Sequence, residues 1–132
     1  MNNKSLGNKF EQNLCEKLSL YGFWSHCMAM NKSGQPADII AVRNQKAYLI
    51  DAKVCSNDTF PFSRIEENQY FAMTVWTTRG NGFGWFALLL GDEIYMISHV
   101  TMLEYSRDQK ALSANQIRNI GIPFEKWVTR WT

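Results

Sequence analysis

Apolar positions at the start of the chain recur at Leu6, Phe10, Leu14, Leu18 and Tyr21, the spacing of one helix face, and Gly22 then supplies a stop. A helix is expected over about residues 6–21. Phe23–Met30, rich in aromatic and sulfur-bearing side chains, reads as a strand, and the polar stretch Asn31–Gln35 as a loop ended by Pro36. Asp38–Arg43 carries Ile39, Ile40 and Val42, and Asn44 with Gln45 fits a tight turn into a third strand over about Ala47–Val54. Strand alternation puts Leu49, Asp51 and Lys53 on one face of it and Tyr48, Ile50 and Ala52 on the other.

Ser63 and Glu66 have capping-box spacing, which predicts a second helix with Ser63 at its N-cap. Ile65, Ala72, Val75 and Trp76 form its inward stripe, and Gln69 falls within that stripe, where a buried amide needs a partner. Gly80, Asn81 and Gly82 end it. Phe83–Leu90 and Glu93–Ser98 read as strands joined by Gly91 and Asp92; the first is apolar on both faces, so a central or covered position is expected. His99–Tyr105 has a helical pattern, and Ser113 with Gln116 repeats the capping-box spacing ahead of Ile117, Ile120 and Gly121. Beyond Pro123, Phe124, Trp127 and Trp131 stand beside Lys126 and Arg130. This tail fits a core-packing strand, a dimer contact or a base-stacking surface, with packing first because aromatic side chains are mostly buried.

With 132 residues, the chain is expected to be a single domain, 1–132. Its 45% hydrophobic and 20% charged composition is that of an ordinary globular protein. Fourteen Lys plus Arg against twelve Asp plus Glu leave a formal charge of +2, too small to identify a nucleic-acid partner unaided. Cys15, Cys27 and Cys55 form no CxxC pair, and Met1–Lys4 lacks the apolar core of a signal peptide, so reduced thiols in a cytoplasmic protein are expected. Trp85–Leu90, the longest apolar run, is too short to cross a bilayer. No paired ligand spacing supports zinc at His26, Cys27, Cys55 or His99, and neither histidine sits in a nucleophile motif.

The chemistry gathers at Asp38, Asp51 and Lys53. Strand interiors are depleted in Asp and Lys, and unpaired buried charge is costly, so two acids and an amine on neighbouring apolar strands are poor packing residues. They suit a Mg²⁺ site, because that cation takes one or two carboxylates and keeps several waters. The carbonyl of Ala52 offers a third oxygen, and the Lys53 ammonium could orient a water or stabilise charge on a phosphate. Glu11, at the border of the first helix's apolar face, is either a solvated charge or a further carboxylate for this site. An ion pair between Lys53 and either aspartate, with no metal, is the competing reading.

Pro36, Ala37 and Asp38, followed on the next strand by Asp51, Ala52 and Lys53, resemble the signature of the PD-(D/E)XK nuclease superfamily. The wider stretch Ser33–Ile40, Asp51–Lys53 and Phe60–Ile65 with Gln69 resembles the RecU-type Holliday junction resolvases. That resemblance runs from roughly Gly7 to Met73 and implies an α/β, restriction-endonuclease-like fold. Its mixed sheet would have about five strands flanked by helices, in the order α-β-β-β-α-β-β-α. It also implies a metal-dependent, structure-selective endonuclease using Mg²⁺, with Mn²⁺ as a substitute, acting as a homodimer on four-way or other branched DNA.

By carry-over, Glu11, Asp38, Asp51, Lys53 and Gln69 are the catalytic positions and Lys32 or Ser33 contacts the phosphate. Lys9, Arg43 and Arg64 are further DNA-contact candidates, with Lys4, Lys46 and Arg79 behind them. Two departures stand out. Asp51 occupies a position where glutamate is common, and the short link from Asp38 to Asp51 excludes the protruding stalk of larger members. Restriction- or repair-type cutting of duplex or flap DNA, and a non-cutting DNA-binding module, are the alternatives.

Overall fold

Phe10, Leu14 and Leu18 are almost wholly buried in a computed structural model that describes residues 3–28 and 37–130. They line the inner face of helix α1 (Asn3–Leu20). Gly22, at φ +89°, ends the helix as the periodicity requires: its N–H reaches Ser19 O at 3.1 Å and that of Phe23 reaches Leu18 O at 3.2 Å. This double bond to the last carbonyls is a Schellman closure, which needs a left-handed residue and therefore favours glycine. The chain turns directly into β1 (Trp24–Cys27); of the expected Phe23–Met30 strand, residues 29 and 30 lie outside the described residues.

β2 (Ile39–Arg43) and β3 (Lys46–Val54) form the expected hairpin. Asn44 and Gln45 both take positive φ, 54° and 67°, the geometry whose twist matches paired strands. A second turn of this kind at Asn57 and Asp58 folds the chain back into β4 (Thr59–Pro61), a strand too short to leave a periodic signal. Helix α2 (Glu67–Thr78) follows, then β5 (Trp85–Leu90), β6 (Glu93–Ser98), α3 (His99–Ser106), β7 (Ala111–Ser113), α4 (Ala114–Ile120), β8 (Ile122–Pro123) and α5 (Phe124–Arg130).

Among the described residues the main sheet has six strands in the order β1-β2-β3-β5-β6-β8, rather than about five, and β4 pairs with β7 in a separate ribbon. Only the β3–β5 pair is parallel, so α2 lies in the crossover between them. As its two-sided apolar pattern requires, β5 is interior, between β3 and β6. α1 and α5 cover one face of the sheet, over Ile39, Ala41, Tyr48, Ile50 and Ala87. The other face, with Leu49, Phe86, Leu88 and Ile97, packs against Met73 of α2, Met102 of α3 and Ile117 of α4. Gly84 permits the close approach of α2, since a Cβ there would lie 2.3 Å from Met73 Cγ.

Two expectations need correction. Ser63 is not a helix cap: Phe62–Arg64 is a 3₁₀ turn, Ile65 is extended, and α2 begins after Glu66. Burial of Phe62 and Ile65 pins this segment against the core and delays the helix by a turn. The aromatic tail is a helix, not a strand, and its packing role holds for Phe124 and Trp127, both fully buried. Trp127 sits among the rings of Phe23, Tyr48 and Trp85, with centroids 6.1, 5.4 and 5.5 Å away. Trp131 lies outside the described residues. Among the described residues no helix is long and apolar enough to cross a membrane.

Because Trp127 joins α5 to rings of β3, β5 and the residue before β1, Trp127→Ala is expected to lower stability by about 3–5 kcal/mol. Urea unfolding with an unchanged m value measures this.

Candidate active site

β2 and β3 pair up to Ile39 opposite Ile50, and Asp38, one residue before Ile39, stands just beyond that register beside Asp51. The Asp38 amide donates to Ile50 O at 3.1 Å, and its carboxylate Oδ2 accepts the Ala52 N–H at 2.8 Å. The N–H and C=O of one strand residue point to the same side, so the Ala52 carbonyl looks past the start of β2 toward Asp38. The aspartates and Ala52 thus converge at one sheet end.

Asp51 has no exposed surface. Its Oδ1 accepts a hydrogen bond from Gln69 Nε2 at 3.1 Å, while Oδ2 lies 3.2 Å from Lys53 Nζ. That ammonium is in ion-pair contact but not aligned for a hydrogen bond, which leaves Oδ2 a buried acceptor with no donor. Gln69 is held at its other end as well, since Oε1 accepts the Glu66 N–H at 3.0 Å and caps α2. One amide therefore ties the helix start to the buried carboxylate. Sequence reading placed Gln69 inward but missed this cap, although Glu66 and Gln69 carry the spacing for it.

Glu11 reaches the same cluster from α1, its carboxyl within hydrogen-bonding reach of Asp38 and within the field of Lys53. Asp38 in turn contacts Asp51, so three carboxyls run in a row with one lysine beside them. Burial first, then the Asp38 charge, drive the Asp51 carboxyl well above the usual range, and Lys53 only partly opposes them. Glu11 is raised to about 7, again by burial and then by Asp38, with Lys53 pulling it down. Like charges held this close in a partly dry site are costly unless a proton or a cation intervenes.

Among the described residues no three His, Cys, Asp or Glu side chains converge as a ready-made metal cage. The set present is sparser: two strand carboxylates, one of them with an unsatisfied buried oxygen, and a main-chain carbonyl. All are hard oxygens, the donors that Mg²⁺ and Mn²⁺ accept. The nearby Cys27 thiol adds no nucleophile, since burial, with help from Cys15, pushes it up to about 12. His99 is buried elsewhere, its Nδ1 accepting the Gly84 N–H at 3.1 Å.

The basic candidates separate. Arg64 stands by the end of β3, its guanidinium donating to Val54 O and lying 5.4 Å from the Phe60 ring centroid. Lys9 is exposed on α1. Arg43 sits at the opposite end of β2 from Asp38, bonded to the carbonyls of Tyr21 and Val128 and 4.3 Å from the Phe23 ring centroid. These bonds tie β2 to the turn after α1 and to α5. Lys32, Ser33 and Pro36 lie outside the described residues.

The fold has a solved counterpart in Hjc, a Holliday junction resolvase from the archaeal hyperthermophile Archaeoglobus fulgidus. The two superimpose with a TM-score of 0.71 over 94% of this chain and 99% of the other, at 16% identity. No curated protein matches the chain in sequence. The model of the family described as Recombination protein U matches residues 24–126, a span that holds Asp38, Asp51, Lys53 and Gln69 and begins downstream of Glu11. With most of its length within that match, the chain belongs to the Recombination protein U (RecU) family.

Proposed function

We propose that this protein is a metal-dependent, structure-selective DNA endonuclease that resolves Holliday junctions. The observation that carries the reading is the Asp51 carboxylate, with Gln69 on one oxygen, Lys53 beside the other, and Asp38 alongside. A fold that needed only stability would gain by replacing such a pair with apolar groups. Membership in the family supplies the reaction class.

In this reading Asp38, Asp51 and the Ala52 carbonyl hold the cation, Mg²⁺ or Mn²⁺, with Glu11 bound to it directly or through a water. When bound, the metal neutralises charge on the phosphate and acidifies a water. Lys53 donates a hydrogen bond that orients the attacking water and offsets charge building on the phosphoryl oxygens. Gln69 fixes the Asp51 rotamer, so the carboxylate is set before substrate arrives. Lys9, Lys32, Ser33 and Arg64 contact phosphates, which position the DNA without reading its sequence.

Resolving a junction takes two nicks, and each chain brings one carboxylate cluster, so the acting species is a homodimer. A shallow apolar groove between α2 and the sheet, about 460 Å³ and lined by Met28, Ile40, Leu49, Phe71, Val75 and Trp76, is the surface we assign to the second copy. Phe71 leaves 69% of its surface exposed there, a cost that a partner chain relieves.

Three outcomes are expected. With Mg²⁺ the protein introduces paired symmetric nicks into a labelled four-way junction. EDTA, Asp51→Asn or Lys53→Ala reduces the rate by about 10²-fold or more while junction binding persists. Cutting only of linear duplex or flap DNA would instead identify a restriction- or repair-type enzyme, and binding without cutting a non-catalytic module. Phe71→Glu is expected to shift the protein to a monomer in analytical ultracentrifugation and to uncouple the two nicks; an unchanged dimer would place the interface elsewhere.

A further outcome concerns pH. The folded metal-free protein holds the Glu11 proton up to about 7, whereas the unfolded chain releases it near the ordinary value of 4.5. Between those values the native state binds more protons, so stability is full below the lower one and falls as pH rises through the upper one. Asp51 acts in the same direction. The melting temperature without metal should therefore drop from about pH 5 to about pH 8, less steeply in Glu11→Gln, and Mg²⁺ should restore it. A melting temperature that rose with pH over that window would show the carboxyls to be stabilised as anions.

A further inference from the structure

Gly7 occupies the interior of α1, where glycine is the least suitable residue after proline. Packing does not require it: a Cβ built there meets nothing within 4 Å. Nor does the backbone, which is helical at this position. The open space beside it belongs to a cleft of about 440 Å³, running from α1 to the end of β3 and lined by Leu6, Gly7, Ala52, Lys53, Ser56 and Arg64. Ala52 and Lys53 are shared with the carboxylate site, so cleft and site are continuous.

The wall chemistry is mixed. Leu6, 40% exposed, presents an apolar side chain at one rim. At the other, Arg64 is held in place by the Val54 carbonyl and the Phe60 ring, and most of its donors remain for a ligand. A guanidinium fixed in this way matches phosphate oxygens in a bidentate geometry and gives up little entropy on binding. The volume is in the range of small-molecule sites.

We propose that this cleft seats the deoxyribose and phosphate of the nucleotide adjoining the scissile phosphate. Arg64 binds that neighbouring phosphate, Leu6 packs on the sugar, and Gly7 leaves room for the strand to cross the helix backbone. The assignment rests on the nuclease reading above and adds a strand-positioning site to it. A side chain at this position would occupy the path of the DNA, which accounts for a glycine that costs helix stability.

The test uses thymidine 3′,5′-bisphosphate as a minimal probe, followed by amide NMR, beside binding and cutting of a four-way junction. In the wild type the probe should shift the amides of Gly7 and Ser56. Gly7→Ala should raise the melting temperature by about 3 °C and yet weaken the probe. Gly7→Leu, no less stable than the wild type, should lose probe binding and cut the junction at least tenfold more slowly. Arg64→Ala should weaken junction binding and lower the slope of log K against log salt by about one, and Arg64→Lys should recover part of that slope.

Wild-type binding and cutting by Gly7→Leu would overturn the cleft assignment, as would probe shifts confined to another surface. If the wild type bound the probe at these amides but cut no DNA, the cleft would stand as a nucleotide site and the nuclease reading would fail.

Discussion

A carboxylate with no exposed surface governs this fold and its chemistry. Asp51 stands in the central strand region of a six-stranded sheet, where desolvation penalises its charge, and the surrounding elements are disposed to hold it there. Gln69 bonds one oxygen while capping its own helix, Lys53 approaches the other, and Asp38 sits across the hairpin. Removing Gln69 or Lys53 leaves a buried charge with less compensation, whereas Asp38 adds repulsion to it. The cation proposed for this site would have a structural as well as a chemical place, since it would answer the repulsion among Glu11, Asp38 and Asp51.

The scaffold makes this arrangement precise through ordinary means. The hairpin turn at Asn44 and Gln45 fixes the β2–β3 register, and a slip of one residue would turn Asp51 away from α2. Gly84 lets α2 descend until Gln69 can reach the strand. α1 is anchored on the opposite face by Phe10, Leu14 and Leu18, and so brings Glu11 to the same sheet end from the other side. Stability and reactivity compete at both helices: the acids lose solvation in the core, and Gly7 gives up helix propensity beside the cleft.

Much of this was legible in the chain itself because periodic signals are local. The α1 stripe, the alternation that pairs Asp51 with Lys53, and the two-sided apolar pattern of β5 each needed only one segment, and each has its expected place. Features decided by distant contacts were not legible. Ser63 and Glu66 both have the residue types for a cap, and burial of Phe62 and Ile65 selects Glu66. β8 has two residues and exists only because β6 offers it an edge. Arg43 reads as a surface cation until Phe23 and the carbonyl of Val128 are brought to it. Within the site, the acids and lysine were visible from residue type and strand phase, whereas the double use of the Gln69 amide required the register of α2 against β3.

The central claim is that Asp38, Asp51 and the Ala52 carbonyl form a cation site, not a closed ion pair with Lys53. Paramagnetic broadening by Mn²⁺ in amide NMR addresses it without any DNA. Substoichiometric Mn²⁺ is expected to erase the amide signals of Ala52 and the side-chain amide of Gln69 first, with Mg²⁺ in excess restoring them and Asp51→Asn abolishing the effect. Broadening that is absent at these groups, or unchanged in Asp51→Asn, would contradict the account and leave the carboxylates as structural charges.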